Sequence, residues 1–154
     1  DEPTPGAANG STCFSGIAPA PALEPASGWY GSPVTVSGDG VRFTLDGSDP
    51  TANSPVLQGS IPIANTAVVH ARTYAAGLVP SEVVTRTYFI GEDEPAVPVV
   101  SIATHPDHLW DWETGIYVLG PNAQPDYPFL DANFWQPWSR FSRYAWFDEG
   151  GALI

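Results

Sequence analysis

A chain of 154 residues that is 43% hydrophobic and 12% aromatic has the material for one full domain, or for a small domain plus part of another. Five arginines, no lysine and seventeen acidic residues give a formal charge of −12, which repels phosphate backbones and anionic membrane surfaces and excludes nucleic acid as a partner. No apolar run approaches the length of a bilayer span, so membrane insertion is not expected. The one cysteine, Cys13, rules out an internal disulfide and leaves either a buried thiol or an intermolecular bond.

In chain order, residues 1–18 read as an extended Pro/Gly/Ala-rich arm or linker, residues 19–91 as an antiparallel β-sandwich, and residues 92–154 as a second, incomplete β-rich unit. The chain opens at Asp1 without methionine and stops after Gly150-Gly151-Ala152-Leu153-Ile154, a hairpin entering a new strand, so both ends read as internal. A first edge strand is expected near Ala20 to Leu23, confined to an edge by its prolines. The next strands are Pro33 to Ser37 and, after the Ser37-Gly38-Asp39-Gly40 turn, Val41 to Leu45, where Val41, Phe43 and Leu45 alternate with Arg42 and Thr44. Asp46-Gly47 tolerates the positive φ that a tight turn requires, and Pro50 removes a donor and holds Asp49 extended. Ser60 to Ile63 is a short strand. Ala67 to Ala75 is longer, with Val69, Ala71, Thr73 and Ala75 on one face and Val68, His70, Arg72 and Tyr74 on the other. Val83 to Ile90 closes the sandwich, with apolar residues on both faces and no decision between them. With no sustained 3.6-residue apolar period, six or seven short strands at this spacing predict an all-β, immunoglobulin-like fold.

The acidic cluster Gly91-Glu92-Asp93-Glu94-Pro95 marks a seam. Beyond it Val97 to Ala103 reads as a strand, Pro106 to Asp111 as one helical turn, and Gly115 to Gly120 as another strand. Arg140 to Phe147, the Asp148-Glu149-Gly150-Gly151 turn and Ala152 to Ile154 start a further sheet.

Chemistry is sparsely signalled. His105 and His108, with Asp107 and Asp111, have a spacing that a helical turn can converge on a cation, but a solvated turn is the simpler reading. Asp46, Ser48 and Asp49 offer oxygen ligands for calcium, yet lack the carboxylate count of a dedicated loop, and turn stabilisation explains them. No Gly-x-Ser-x-Gly elbow and no His-Glu-x-x-His helix occurs, and no catalytic residue or cofactor is assigned. The surplus is aromatic. Trp29, Tyr30, Trp110, Trp112, Trp135 and Trp138 are candidates to stack on sugars or anchor a protein partner. Against this stands core or interdomain packing, in which the indoles of Phe134 to Trp138 seal the two units together.

Two resemblances add to these readings. The stretch Val41 to Thr51, with Ser27-Gly28-Trp29-Tyr30, Ser54-Pro55, Pro62-Ile63, Val69-His70-Ala71-Arg72 and Pro80 to Tyr88, resembles the β-sandwich module named after the C-terminal domain of chitobiases and β-hexosaminidases, over about Pro19 to Ile90. It implies an immunoglobulin-like accessory domain and not the glycosidase barrel. Val97 to Ile102, Asp107 to Asp111, Thr114 to Val118 with Gly120, and Ala132 to Trp138 resemble the N-terminal entrance of the spore-coat CotH-like proteins, a family that includes atypical secreted kinases. Ser139-Arg140-Phe141-Ser142-Arg143 stands where a Glu-Arg-Pro phrase is commoner there. No Gly-rich phosphate loop, no lysine and no Asp-Phe-Gly is present, so kinase activity is not expected of these residues. Pro3 to Asn9 is similar to the closing phrase of lamin-tail-like domains of bacterial surface proteins. Together these imply an extracellular or cell-surface location and a non-catalytic structural, assembly or adhesion module, up to a filament subunit. Carbohydrate binding, or a fragment of a larger CotH-like kinase, is the alternative. The expected partners are other copies of the chain, into whose sheet edges Ala18 to Leu23 could add, neighbouring domains of a parent protein, or polysaccharide.

Overall fold

The structure, a computed structural model, describes residues 14–154; the lamin-tail-like phrase, most of the arm and Cys13 lie outside them. It is nearly all β, as its sequence pattern predicts. The strands are β1 (Gly28–Tyr30), β2 (Val34–Ser37), β3 (Arg42–Thr44), β4 (Ser60–Ile63), β5 (Ala67–Arg72), β6 (Val84–Ile90), β7 (Val99–Ala103) and β8 (Arg143–Phe147). One short helix, α1 (Pro106–Trp110), and a 3-10 turn at Asn133–Trp135 complete the elements.

Two sheets form the sandwich, a four-stranded one in the order β1-β6-β5-β3 and a pair β2-β4. Register explains why they face each other. In the pair, Val34 lies opposite Ile63 and Val36 opposite Ile61, so one face is apolar throughout. In the larger sheet, Phe43 stands beside Ala71, Ala71 beside Val84, and Ala67 beside Tyr88. Leu23, Val36, Val41, Leu57, Ile63, Val69, Ala71 and Tyr88 fill the space between, with Phe43 half-buried against them. Tyr88 carries a polar tip into this core and donates it to the Pro25 carbonyl at 2.8 Å; burial pushes its phenol up to about 12.

The first strand differs from expectation. Ala20 to Leu23 forms no ladder. Ile17 makes a single parallel bridge to Val79 and Glu24 an antiparallel one to Ser37, after which the chain crosses to the other sheet and runs as β1 parallel to β6. The prolines explain the lack of a continuous ladder, since each removes a donor. Ala18 and Leu23 are buried within the chain. Two other expected strands are shorter. Leu45 is exposed because β3 stops at Thr44, and β5 stops at Arg72 because the Thr73 N–H is taken by the Ser81 hydroxyl at 3.0 Å.

The opposite face of the four-stranded sheet is covered as well. β7 and β8 form an antiparallel ribbon that lies across Trp29, Val68, His70, Thr87 and Phe89. Trp29 stacks on Phe89 with centroids 4.1 Å apart and planes 16° apart, and Phe147 meets both edge-on at 5.1 and 5.5 Å. Thr87 and Ser101 share a hydrogen bond of 3.1 Å between their hydroxyls. Gly47, at φ +83°, lies so close to the Thr104 carbonyl that a Cβ there would strike it. Val84, Tyr88 and Ile90 therefore serve the core while Thr87 and Phe89 serve the ribbon, which is why both faces of this strand carry apolar residues.

Between α1 and β8 the chain is irregular. Gly115 to Gly120 is not a strand, because its backbone donors are consumed by the preceding helix: Ile116 N–H reaches the His108 carbonyl and Tyr117 N–H that of Leu109, at 3.0 and 2.9 Å. Asn133, fully buried, holds this region. Its side-chain amide donates to the Trp112 and Gly115 carbonyls at 3.1 Å each, and its main-chain N–H bonds Leu119.

Candidate functional site

Two features stand out, a cavity in the seam between sandwich and ribbon and an apolar face outside it. The cavity measures about 260 Å³ and is lined by Gly47, Asp49, His70, Ala103, Thr104, His105, His108, Phe141 and Arg143. The chain brings its three histidines, 35 and 38 residues apart from the first, to this one place. Strand alternation puts His70 on the ribbon side of β5, where Val69 and Ala71 point to the core. The other two come from the entry to α1. His105 is its N-cap, with Nδ1 accepting the Asp107 N–H at 3.2 Å, and His108 lies one turn on.

Of the sequence candidates, Asp46 serves its own turn. Its Oδ1 accepts the Ser48 N–H at 3.0 Å and the Ser48 hydroxyl at 2.6 Å, bonds that hold the carboxyl below its ordinary range. Asp49 faces the cavity and takes both Nε and Nη2 of Arg143 at 3.0 and 2.8 Å, a two-pronged pair that lowers its pKa. The same carboxylate lies 3.9 Å from His70 Nδ1. His70 itself is 1% exposed, and neither ring nitrogen completes a hydrogen bond. Burial pushes its pKa down, and the Arg143 charge pushes the same way against the pull of Asp49. His108 is better supplied: Nδ1 lies 2.7 Å from the Thr104 hydroxyl and 3.2 Å from the Phe141 carbonyl. Sequence reasoning missed His70 and Arg143. The alternation on β5 placed His70 on the face opposite Val69 and Ala71, but nothing in the letters says which face is the core or that a strand 70 residues later covers the other.

The aromatic candidates separate into two groups. Trp29 packs under the ribbon, and Tyr30 lies half-buried against the core with its hydroxyl on the Ala26 carbonyl at 2.6 Å. Trp110, Trp112, Trp135 and Trp138 are exposed, as is Phe134, so the Phe134 to Trp138 cluster does not seal the two units. That work falls to Trp29, Phe89 and Phe147, because only residues on the sheet's second face can meet the ribbon. Trp110 and Tyr117 form a tilted pair with centroids 5.6 Å apart, and Arg140 lies 5.0 Å above Trp138.

The ribbon's outer face is the second feature. Val100 pairs with Trp146 and Ile102 with Tyr144 across the strands, and all four are exposed. Their alternates Ser101, Ala103, Ala145 and Phe147 lie on the opposite side, toward the sandwich. Among the described residues no helix is long and apolar enough to cross a membrane.

Residues 25–85 match the family model of the chitobiase/β-hexosaminidase C-terminal domain, a non-catalytic accessory module. The matched span holds β1 to β5 and the first residues of β6, and it stops short of the ribbon. No curated protein and no solved structure matches the chain.

Proposed function

We propose that the chain is a non-catalytic structural module of an exported bacterial surface protein, acting in assembly or adhesion through the outer face of the β7–β8 ribbon. The observation that carries this reading is the cross-strand quartet Val100, Ile102, Tyr144 and Trp146. An alternating strand normally presents polar residues to water on the face away from the core, and this ribbon presents apolar ones. Such a face gains free energy when another surface covers it, at roughly 25 cal/mol for each Å² removed from water. A contact that joins this face to a different patch on the next copy builds a ring where its rotation closes and a filament where it does not.

Light scattering over a concentration series tests this. The native chain is expected to exceed its 16.4 kDa monomer mass as concentration rises, and the double variant Ile102→Ser, Trp146→Ser to remain monomeric while keeping its far-ultraviolet spectrum. A native chain that stays monomeric throughout and binds no cell-surface preparation would defeat the proposal.

Carbohydrate binding is the second reading. It is favoured by the exposed Trp110–Tyr117 pair and by the match of residues 25–85 to a domain named from carbohydrate-processing enzymes. Retention on insoluble polysaccharide that is lost in Trp110→Ala would establish it, and free elution of the native chain would dismiss it.

A further inference from the structure

We infer that the seam cavity is a binding site for a divalent transition-metal ion of the zinc, nickel or cobalt class, held by the imidazoles of His70, His105 and His108. Three observations point to this class. Convergence comes first. In a chain with three histidines, all three line one cavity of about 260 Å³, together with the carboxylate of Asp49. Imidazole nitrogen is the donor that suits these metals, whereas calcium and magnesium require oxygen sets.

The second observation is His70. A ring with 1% exposure and neither nitrogen in a well-formed hydrogen bond forgoes the bonds that buried polar groups normally keep. A metal ion in the cavity accepts the lone pair of the ring nitrogen that carries no proton. The third is the orientation of His108. When the Thr104 hydroxyl gives its one proton to Phe141 O at 2.6 Å, its oxygen accepts from His108 Nδ1–H at 2.7 Å. That leaves the lone pair on Nε2, with the opposite nitrogen bonded to oxygen as in established imidazole–metal sites. The His105 and His108 centroids are 5.8 Å apart, a spacing that two ligands of one ion can share.

As they stand, no three ligating side chains among the described residues surround one point. Closing the set takes a side-chain rotation of His105, which is 41% exposed and tied by one long cap bond to Asp107 N–H. The ion would join β5 of the sandwich to α1 of the C-terminal unit, so binding should tighten the seam as well as fill it.

Calorimetric titration of the untagged full chain with Zn²⁺, and Co²⁺ titration followed by visible absorption, test the inference. The expected result is one ion per chain, a tetrahedral cobalt spectrum and a raised melting temperature. His105→Ala removes an N-cap contact and His108→Ala removes the ring bonded to Thr104 and Phe141, so the far-ultraviolet spectrum and metal-free melting temperature of each variant are compared with those of the native chain before titration. Each should weaken binding by more than the roughly 10–100-fold that loss of an outer-shell partner costs. Ca²⁺ should give no heat and no stabilisation. Absence of stoichiometric Zn²⁺ binding by the native chain, or binding that persists undiminished in both variants, would overturn it.

Discussion

Asn133 shows how one side chain can hold together a stretch with little regular structure. Its amide satisfies the buried carbonyl of Gly115 and the part-buried one of Trp112, from a segment about twenty residues away. Asn133→Ala leaves both without a donor. The expected loss is about 1–3 kcal/mol in chemical denaturation, concentrated in the C-terminal unit. Asp49 offers a pH test at the same scale. Arg143 lowers its folded pKa, so the pair stabilises the fold at pH above the ordinary carboxyl value, near 3.9, and that contribution fades as pH falls through the lower folded value. Because both groups are partly exposed, Asp49→Asn should cost less than about 1 kcal/mol at pH 7. The difference from the native chain should vanish in acid; a gap that persists at pH 2 would mean that the pair acts by packing and not by charge.

Among the elements, the segment before β1 is structurally part of the sandwich. Leu23 is fully buried and Glu24 bonds Ser37 in both directions, at 3.1 and 2.7 Å. Removing residues 1–25 should therefore destabilise the sandwich itself, and Leu23→Ala alone should cost about 3 kcal/mol. Phe43→Ala, at a half-buried site, should cost nearer 2 kcal/mol. Equal midpoints for the two variants would place the core elsewhere. Gly47 is the element-scale contact across the seam: its positive φ and its closeness to the Thr104 carbonyl leave no room for a side chain. Gly47→Ala should loosen the ribbon before it affects β2 and β4, as resolved by hydrogen exchange.

For the whole molecule, docking of the ribbon depends on a small aromatic cluster. Phe147→Ala removes the ring that meets Trp29 and Phe89 edge-on. It should release the C-terminal unit, with a red-shifted tryptophan emission and loss of near-ultraviolet ellipticity, while the sandwich core remains folded. A single cooperative transition that moves as a whole would show instead that sandwich and ribbon fold as one body. With ATP and magnesium the melting temperature is expected to stay unchanged, since no phosphate-cradling loop exists to bind them.

The all-β class, the turn at Asp46 to Pro50, five of the eight strands (β2, β3, β4, β6 and β7) to within a residue or two, and β5 and β8 with one end three residues off were legible from period-two alternation and Gly/Pro punctuation, because these are local properties of adjacent residues. What escaped was whatever depends on a partner distant in sequence. Gly28–Tyr30 carries too few residues to announce a strand and becomes one only by lying parallel to β6. Gly115 to Gly120 has strand-like letters, yet α1 takes its donors. Val83 to Ile90 showed apolar residues on both faces with nothing local to choose between them, because one face meets the core and the other meets the ribbon. The same folding event gathered His70 from one strand and His105 and His108 from a helical turn around one cavity. Alternation specifies which way a side chain points, and only the packing of one layer on another decides what it meets there.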